Sequence, residues 1–88
     1  MLKRSEALDK AKELINGDRA KEYGDAHDNF GRIATMWSAY LSQDVDAADV
    51  AVMMNLLKCS RLAHQRKDDS FVDACGYMAL ACELCSDN

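Results

Sequence analysis

Asp46-Ala-Ala-Asp-Val-Ala-Val-Met-Met-Asn-Leu-Leu-Lys-Cys-Ser-Arg-Leu-Ala-His-Gln65 is the stretch that decides the fold. Its apolar residues Val50, Val52, Met53, Met54, Leu56, Leu57, Cys59 and Leu62 recur at helical spacing. At about 100° per residue they cover more than half of a helix circumference. A helix apolar on so many sides needs neighbours on several sides, so this segment is expected at the centre of a helical bundle.

Three further helices are read outward from it. One runs from about Ser5 to Asn16, with Leu8, Ala11, Leu14 and Ile15 on one face, Ser5 as N-cap and Gly17 as the stop. A second starts at Asp25 or Asp28 and ends at Leu41, with Phe30, Ile33, Ala34, Trp37, Tyr40 and Leu41 in one stripe. The last runs from Asp69 or Ser70 to Cys85. Phe71, Cys75, Met78, Cys82 and Cys85 share its stripe, and Gly76 permits close helix approach. The chain has no proline and four glycines, which suits helices, and no segment alternates as a strand would. The expectation is all-α: residues 1–88 as a single domain, a compact bundle of about four helices completed by oligomerisation.

Composition narrows the function. The 88 residues are 49% hydrophobic and 30% charged, as in a globular domain rather than a disordered one. A net charge of −4 argues against bulk nucleic-acid binding, which needs a basic surface. No apolar run reaches membrane-spanning length, and Met1-Leu2-Lys3-Arg4-Ser5-Glu6 turns polar at once, without a signal core. A cytoplasmic protein with reduced cysteines is expected.

Polar residues at helical spacing are the candidates for chemistry. Asp46 and Asp49 are i, i+3; Asp69 and Asp73 are i, i+4, so each pair shares a helix face. Asp49 projects between Met53 and Leu56, which would aim a carboxylate at the core; first-turn capping is the competing reading. Two such pairs on neighbouring antiparallel helices could hold Mg²⁺, which takes hard oxygen ligands. Lys58 and Arg61 lie at or beyond the edge of the apolar arc, and their long stems can carry the charge to solvent. Tyr77 follows Asp73 by four residues and could stack on a base or pack in the core. The segment Glu22 to Asn29 gathers Tyr23, Asp25, His27, Asp28 and Asn29 around Gly24, a makeup that suits either a site-lining loop or a capped turn. Cys82-Glu83-Leu84-Cys85 is a lone CxxC that closes a helix, which argues against zinc or redox use and for cysteine as a small hydrophobe.

Three blocks carry a resemblance: Arg19-Ala-Lys-Glu-Tyr23-Gly-Asp25-Ala-His-Asp-Asn29-Phe-Gly-Arg-Ile-Ala-Thr-Met-Trp37-Ser-Ala-Tyr-Leu41, then Asp49-Val-Ala-Val-Met-Met-Asn-Leu-Leu-Lys58 with Arg61-Leu62, then Asp69-Ser-Phe-Val-Asp73-Ala-Cys-Gly-Tyr77-Met-Ala-Leu80. Together they resemble a small phage and prophage family of unknown function. More distantly the pattern is similar to MazG-like all-α nucleotide pyrophosphohydrolases. That resemblance implies an oligomeric bundle in the host cytoplasm that binds Mg²⁺ and nucleotide. Asp46, Asp49, Asp69 and Asp73 would be its metal ligands, with Asp49 and Asp73 catalytic. Lys58 and Arg61 would face phosphate, and Tyr77 or Trp37 the base. Tyr23, Asp25 and Asn29 are further substrate-binding candidates, from the loop reading. The enzyme pattern pairs glutamates, whereas this chain offers aspartates throughout. The alternative is a non-catalytic phage interaction protein that binds and modulates a host protein.

Overall fold

The computed structural model describes residues 1–17 and 25–86. Four helices follow in order: α1 (Arg4–Asn16), α2 (Ala26–Leu41), α3 (Ala47–His64) and α4 (Asp68–Ser86). There is no strand among the described residues. The fold class is all-α, as the periodicity predicts. Tyr23 and the break expected at Gly24 lie outside the described residues.

Local chemistry sets the helix ends. Asp25 caps α2, its Oδ1 accepting from the His27 N–H at 2.8 Å. Ser42 ends α2 in the left-handed region (φ 54°, ψ 42°) and donates its N–H to the Ser38 carbonyl. The Ser38 hydroxyl then holds the next loop by both ends. It donates to the Val45 carbonyl at 3.1 Å and accepts from the Val45 N–H at 2.9 Å. Asp46 and Asp49 form a reciprocal capping box at the start of α3. Asp49 N–H donates to Asp46 Oδ1 at 2.7 Å, and Asp46 N–H donates to Asp49 Oδ2 at 3.0 Å.

Two ends differ from expectation. Helix α1 begins at Arg4, so Ser5 lies in its first turn and is not the cap. Instead Glu6 Oε1 accepts from the Lys3 N–H at 3.0 Å. Gly17 does stop α1, but in extended backbone (φ −95°). Glycine is needed there because a Cβ would stand 2.6 Å from the Glu13 carbonyl oxygen.

Helix α3 packs against both α2 and α4, and α4 also packs against α1. Helices α3 and α4 thus each have two neighbours and share the central position expected for α3 alone. The core is built largely from small residues: Ala34 on α2, Ala48, Val50 and Ala51 on α3, and Ala81 on α4, closed by Phe30 and Leu84. Among the described residues Val50 is the largest side chain that is fully buried. Small side chains let helix backbones approach closely, at the cost of little buried area per residue.

The buried faces of α3 and α4 correct the expected ones. On α3, Ala48, Val50 and Ala51 point inward, while Val52, Met53, Leu56 and Leu57 are exposed. Asp49 is exposed with them and does not face the core. On α4, Val72, Ala81 and Leu84 are buried, while Phe71, Met78, Cys82 and Cys85 are exposed and Cys75 is half-buried. The stripe read from the spacing of α4 is thus its outer face. Helix α1 seats its Ile15 on Gly76 of α4, where a Cβ would come within 3.2 Å of the Ile15 methyl. Asp68 Oδ1 ties down the N-terminal segment by accepting from the Leu2 N–H at 3.1 Å.

Candidate functional site

Asp69 and Asp73 stand four residues apart on α4 and share the wall of one cleft. The opposite wall is α1, which contributes Lys10, Glu13 and Leu14; Val72 lies at the floor. The cleft is open and about 420 Å³ in volume. Helix α1 can form that wall because Gly76 lets Ile15 approach α4 closely.

Lys58 reaches Asp73 from α3. Its Nζ lies 2.9 Å from Asp73 Oδ2, and the two side chains are only 14% and 19% exposed. At that burial the pair is shielded from solvent far more than a surface ion pair is, so it fixes the Asp73 carboxylate in direction. The lysine thereby bridges α3 to α4 at Asp73. Three carboxylates (Glu13, Asp69 and Asp73) and two ammonium groups (Lys10 and Lys58) therefore surround or support one cleft. Of these groups, Lys58 is paired with Asp73, while Lys10, Glu13 and Asp69 line the cleft with it.

The two acidic pairs do not meet. Helices α3 and α4 run antiparallel, with Lys58 beside Asp73 and the start of α3 beside the end of α4, where Ala48 and Ala51 share a core with Ala81 and Leu84. Nine residues separate Asp49 from Lys58. At 1.5 Å per residue this places Asp49 about 14 Å along the bundle from the Lys58–Asp73 pair. Asp46 and Asp49 are exposed, and each holds the other's backbone N–H. Among the described residues, no three His, Cys, Asp or Glu side chains converge closely enough to form a metal centre on protein ligands alone.

The other candidates spread over the molecule. Arg61 is exposed, one turn beyond Lys58 on α3. Trp37 is half-buried and packs against the core. Tyr77 is also half-buried, its ring 6.3 Å from that of Phe30 and tilted by 34°, so it helps join α4 to α2. Asp25 caps α2 and Asn29 is half-buried one turn later. Tyr23 lies outside the described residues.

Lys10 and Glu13 were not singled out from the sequence. On α1 they read as ordinary solvated charges. Only the seating of α1 on Gly76 brings them opposite Asp69 and Asp73. No helix among the described residues is long and apolar enough to cross a membrane.

Comparison with known proteins agrees with the phage resemblance. A family model described as a domain of unknown function, DUF6378, matches residues 6–85. The Gene 55 protein of Mycobacterium phage L5 is 49% identical over 72 residues, covering 80% of this chain and 46% of that protein. The Gene 55 protein of Mycobacterium phage D29 is 41% identical over 73 residues, covering 80% and 47%. The chain thus spans about half the length of the curated relatives it matches. No solved structure matches it.

Proposed function

The chain belongs to the DUF6378 family, with relatives among phage proteins, and from that premise we propose a magnesium-dependent nucleotide-binding protein, similar to MazG-like nucleoside triphosphate pyrophosphohydrolases. The observation that carries this reading is the α1–α4 cleft, where Asp69 and Asp73 stand together with Lys58 fixed 2.9 Å behind Asp73.

The donor set fits magnesium in the form that accompanies nucleotides. Mg²⁺ keeps several waters and takes one or two carboxylates together with substrate phosphates, and does not need an all-protein cage. Asp69 and Asp73 would be its protein ligands, water and phosphate oxygens supplying the rest. When bound, it would neutralise phosphate charge and make a bound water more acidic. The chain supplies the rest. Lys58 holds the Asp73 carboxylate in one orientation, Lys10 at the rim offers an ammonium group to phosphate, and exposed Arg61 extends the positive charge along α3. Tyr77 packs against Phe30 and the core, one helical turn from Asp73, and is left out of the proposed site. Asp46 and Asp49 stay with the helix cap.

In a phage-infected cell such a protein would act on the host's cytoplasmic nucleotide pool. The test is a calorimetric titration with a panel of nucleoside triphosphates, with and without Mg²⁺, followed by a pyrophosphate-release assay on whatever binds. Metal-dependent binding that Asp73→Ala abolishes supports the reading. No binding across the panel overturns it in favour of a non-catalytic protein that modulates a host partner.

A further inference from the structure

The charges of the chain are sorted to opposite ends of the α3–α4 hairpin. At its open end, residues 42–50 and 79–86 hold Asp44, Asp46, Asp49 and Glu83, all exposed, and no lysine or arginine. The turn end lies about 27 Å away, at 1.5 Å per residue over the 18 residues of α3. There Arg61, in the last turn of α3, and Arg66 and Lys67, between the helices, are exposed. The Leu2 N–H, bonded to Asp68 Oδ1 at 3.1 Å, brings exposed Lys3 and Arg4 to the same place. Five of the 11 lysines and arginines thus gather at one end. Among the described residues none of the five is in an ion pair.

The acids within residues 1–6 and 61–70 are Glu6, Asp68 and Asp69. Glu6 and Asp68 each hold a backbone N–H, at 3.0 and 3.1 Å, and Asp69 faces the α1–α4 cleft. The net charge of −4 therefore conceals a positive pole. The fold gains little from it. Arg61 at a helix C-terminus suits the helix dipole, but Lys3, Arg4, Arg66 and Lys67 stand at the starts of α1 and α4, where positive charge opposes it. An aromatic ring stands at the same end. Phe71 lies in the first turn of α4, its backbone N 3.5 Å from the Lys67 carbonyl oxygen, and is 39% exposed. Two residues of helix turn it about 160° from Asp69, away from the acid.

We propose that this end binds single-stranded nucleic acid, its cations lying along the phosphates and Phe71 stacking on an unpaired base. Charge complementarity selects a polyanion. Cations beside an exposed ring suit a single strand, which offers phosphate and open base faces together. In a duplex the base faces are stacked on one another and closed to Phe71. The acidic end repels the same strand and orients the molecule end-on.

Fluorescence anisotropy of a labelled single-stranded DNA of about 20 nucleotides, titrated with the whole chain in EDTA from roughly 50 to 300 mM NaCl, tests this. Affinity is expected to fall with salt at a logarithmic slope of about −2 to −3.5, about −0.7 for each phosphate neutralised by up to five cations. Arg66→Gln with Lys67→Gln, at unchanged circular dichroism, lowers the affinity about tenfold or more at the lowest salt and flattens the slope by about 1.4. Phe71→Leu keeps the apolar volume but removes the ring, and weakens binding about fivefold or more at unchanged slope. Arg32→Gln, on α2, leaves the affinity unchanged. Asp69→Ala binds at least as tightly as wild type, which separates this site from the nucleotide cleft. No binding at the lowest salt overturns the proposal, as does a duplex of the same length that binds as tightly as the single strand. A Phe71→Leu variant at wild-type affinity overturns it too. Should that variant fail to fold, the Arg66 and Lys67 double variant decides: wild-type affinity, or a loss matched by Arg32→Gln, refutes the site.

Discussion

Lys58 Nζ and Asp73 Oδ2 are 2.9 Å apart across the α3–α4 interface, with both side chains less than one-fifth exposed. This pair joins the architecture to the candidate site. It locks α3 to the helix that carries the acids, and it holds one of those acids in place beside the cleft.

Removing one partner leaves the other charge shielded and unpaired. Lys58→Met is therefore expected to lower unfolding stability by about 1–3 kcal/mol, and Asp73→Leu by a similar amount. Replacing both together, as Lys58→Met with Asp73→Leu, restores most of the loss, because no lone charge remains. Urea unfolding of the three variants measures this. Equal, additive losses in the double variant would show that the pair does not act as a unit.

The Asp46–Asp49 capping box predicts a different pattern. Asp46→Ala removes the oxygen that accepts from the Asp49 N–H and costs about 1 kcal/mol of stability. Nucleotide binding stays at the wild-type level, since the box lies about 14 Å from the Lys58–Asp73 pair at 1.5 Å per residue. Thermal unfolding and calorimetry on the same sample separate the two effects. A binding loss at wild-type stability would return these acids to the site.

These contrasts show what could be read from the chain beforehand. The number of helices and most of their ends followed from apolar spacing and from local cap chemistry at Asp25, Asp46 and Gly17. Such signals act within a turn or two, so the sequence displays them directly. Which face of α3 and α4 turns inward was not legible. Both helices are apolar on two sides, and the wider rows of Met, Leu, Phe and Cys outweighed Ala48, Ala51 and Ala81. The bundle buries the small residues because they allow close backbone approach, and it leaves the large ones outside. The pairing of Asp69 and Asp73 on one face was legible from their spacing. Their company with Lys10 and Glu13 was not, because it depends on how α1 docks some sixty residues away in sequence.

Gly76 controls that docking. A Cβ at this position would meet the Ile15 methyl at 3.2 Å, and a larger side chain has to displace α1. Gly76→Val is expected to destabilise the fold by about 1–3 kcal/mol and to widen the cleft. Amide exchange in α1 should rise more than in α3. Uniform exchange changes across all helices would argue against a local role.

Ser38 closes the α2–α3 loop through its paired hydrogen bonds to Val45. Ser38→Ala leaves the Val45 N–H and carbonyl without that partner and is expected to cost about 1–2 kcal/mol, read from the urea midpoint at constant slope. A cost near zero would mean that water replaces the hydroxyl fully.

The central claim is that Asp69 and Asp73, and not Asp46 and Asp49, form the nucleotide site. Its most direct test is a side-by-side calorimetric titration of Asp69→Ala and Asp49→Ala with the best-bound nucleoside triphosphate in the presence of Mg²⁺. Binding should fall at least tenfold in Asp69→Ala and stay within about twofold of wild type in Asp49→Ala, a tenfold change being about 1.4 kcal/mol. The reverse order, or equal loss in both variants, would contradict it.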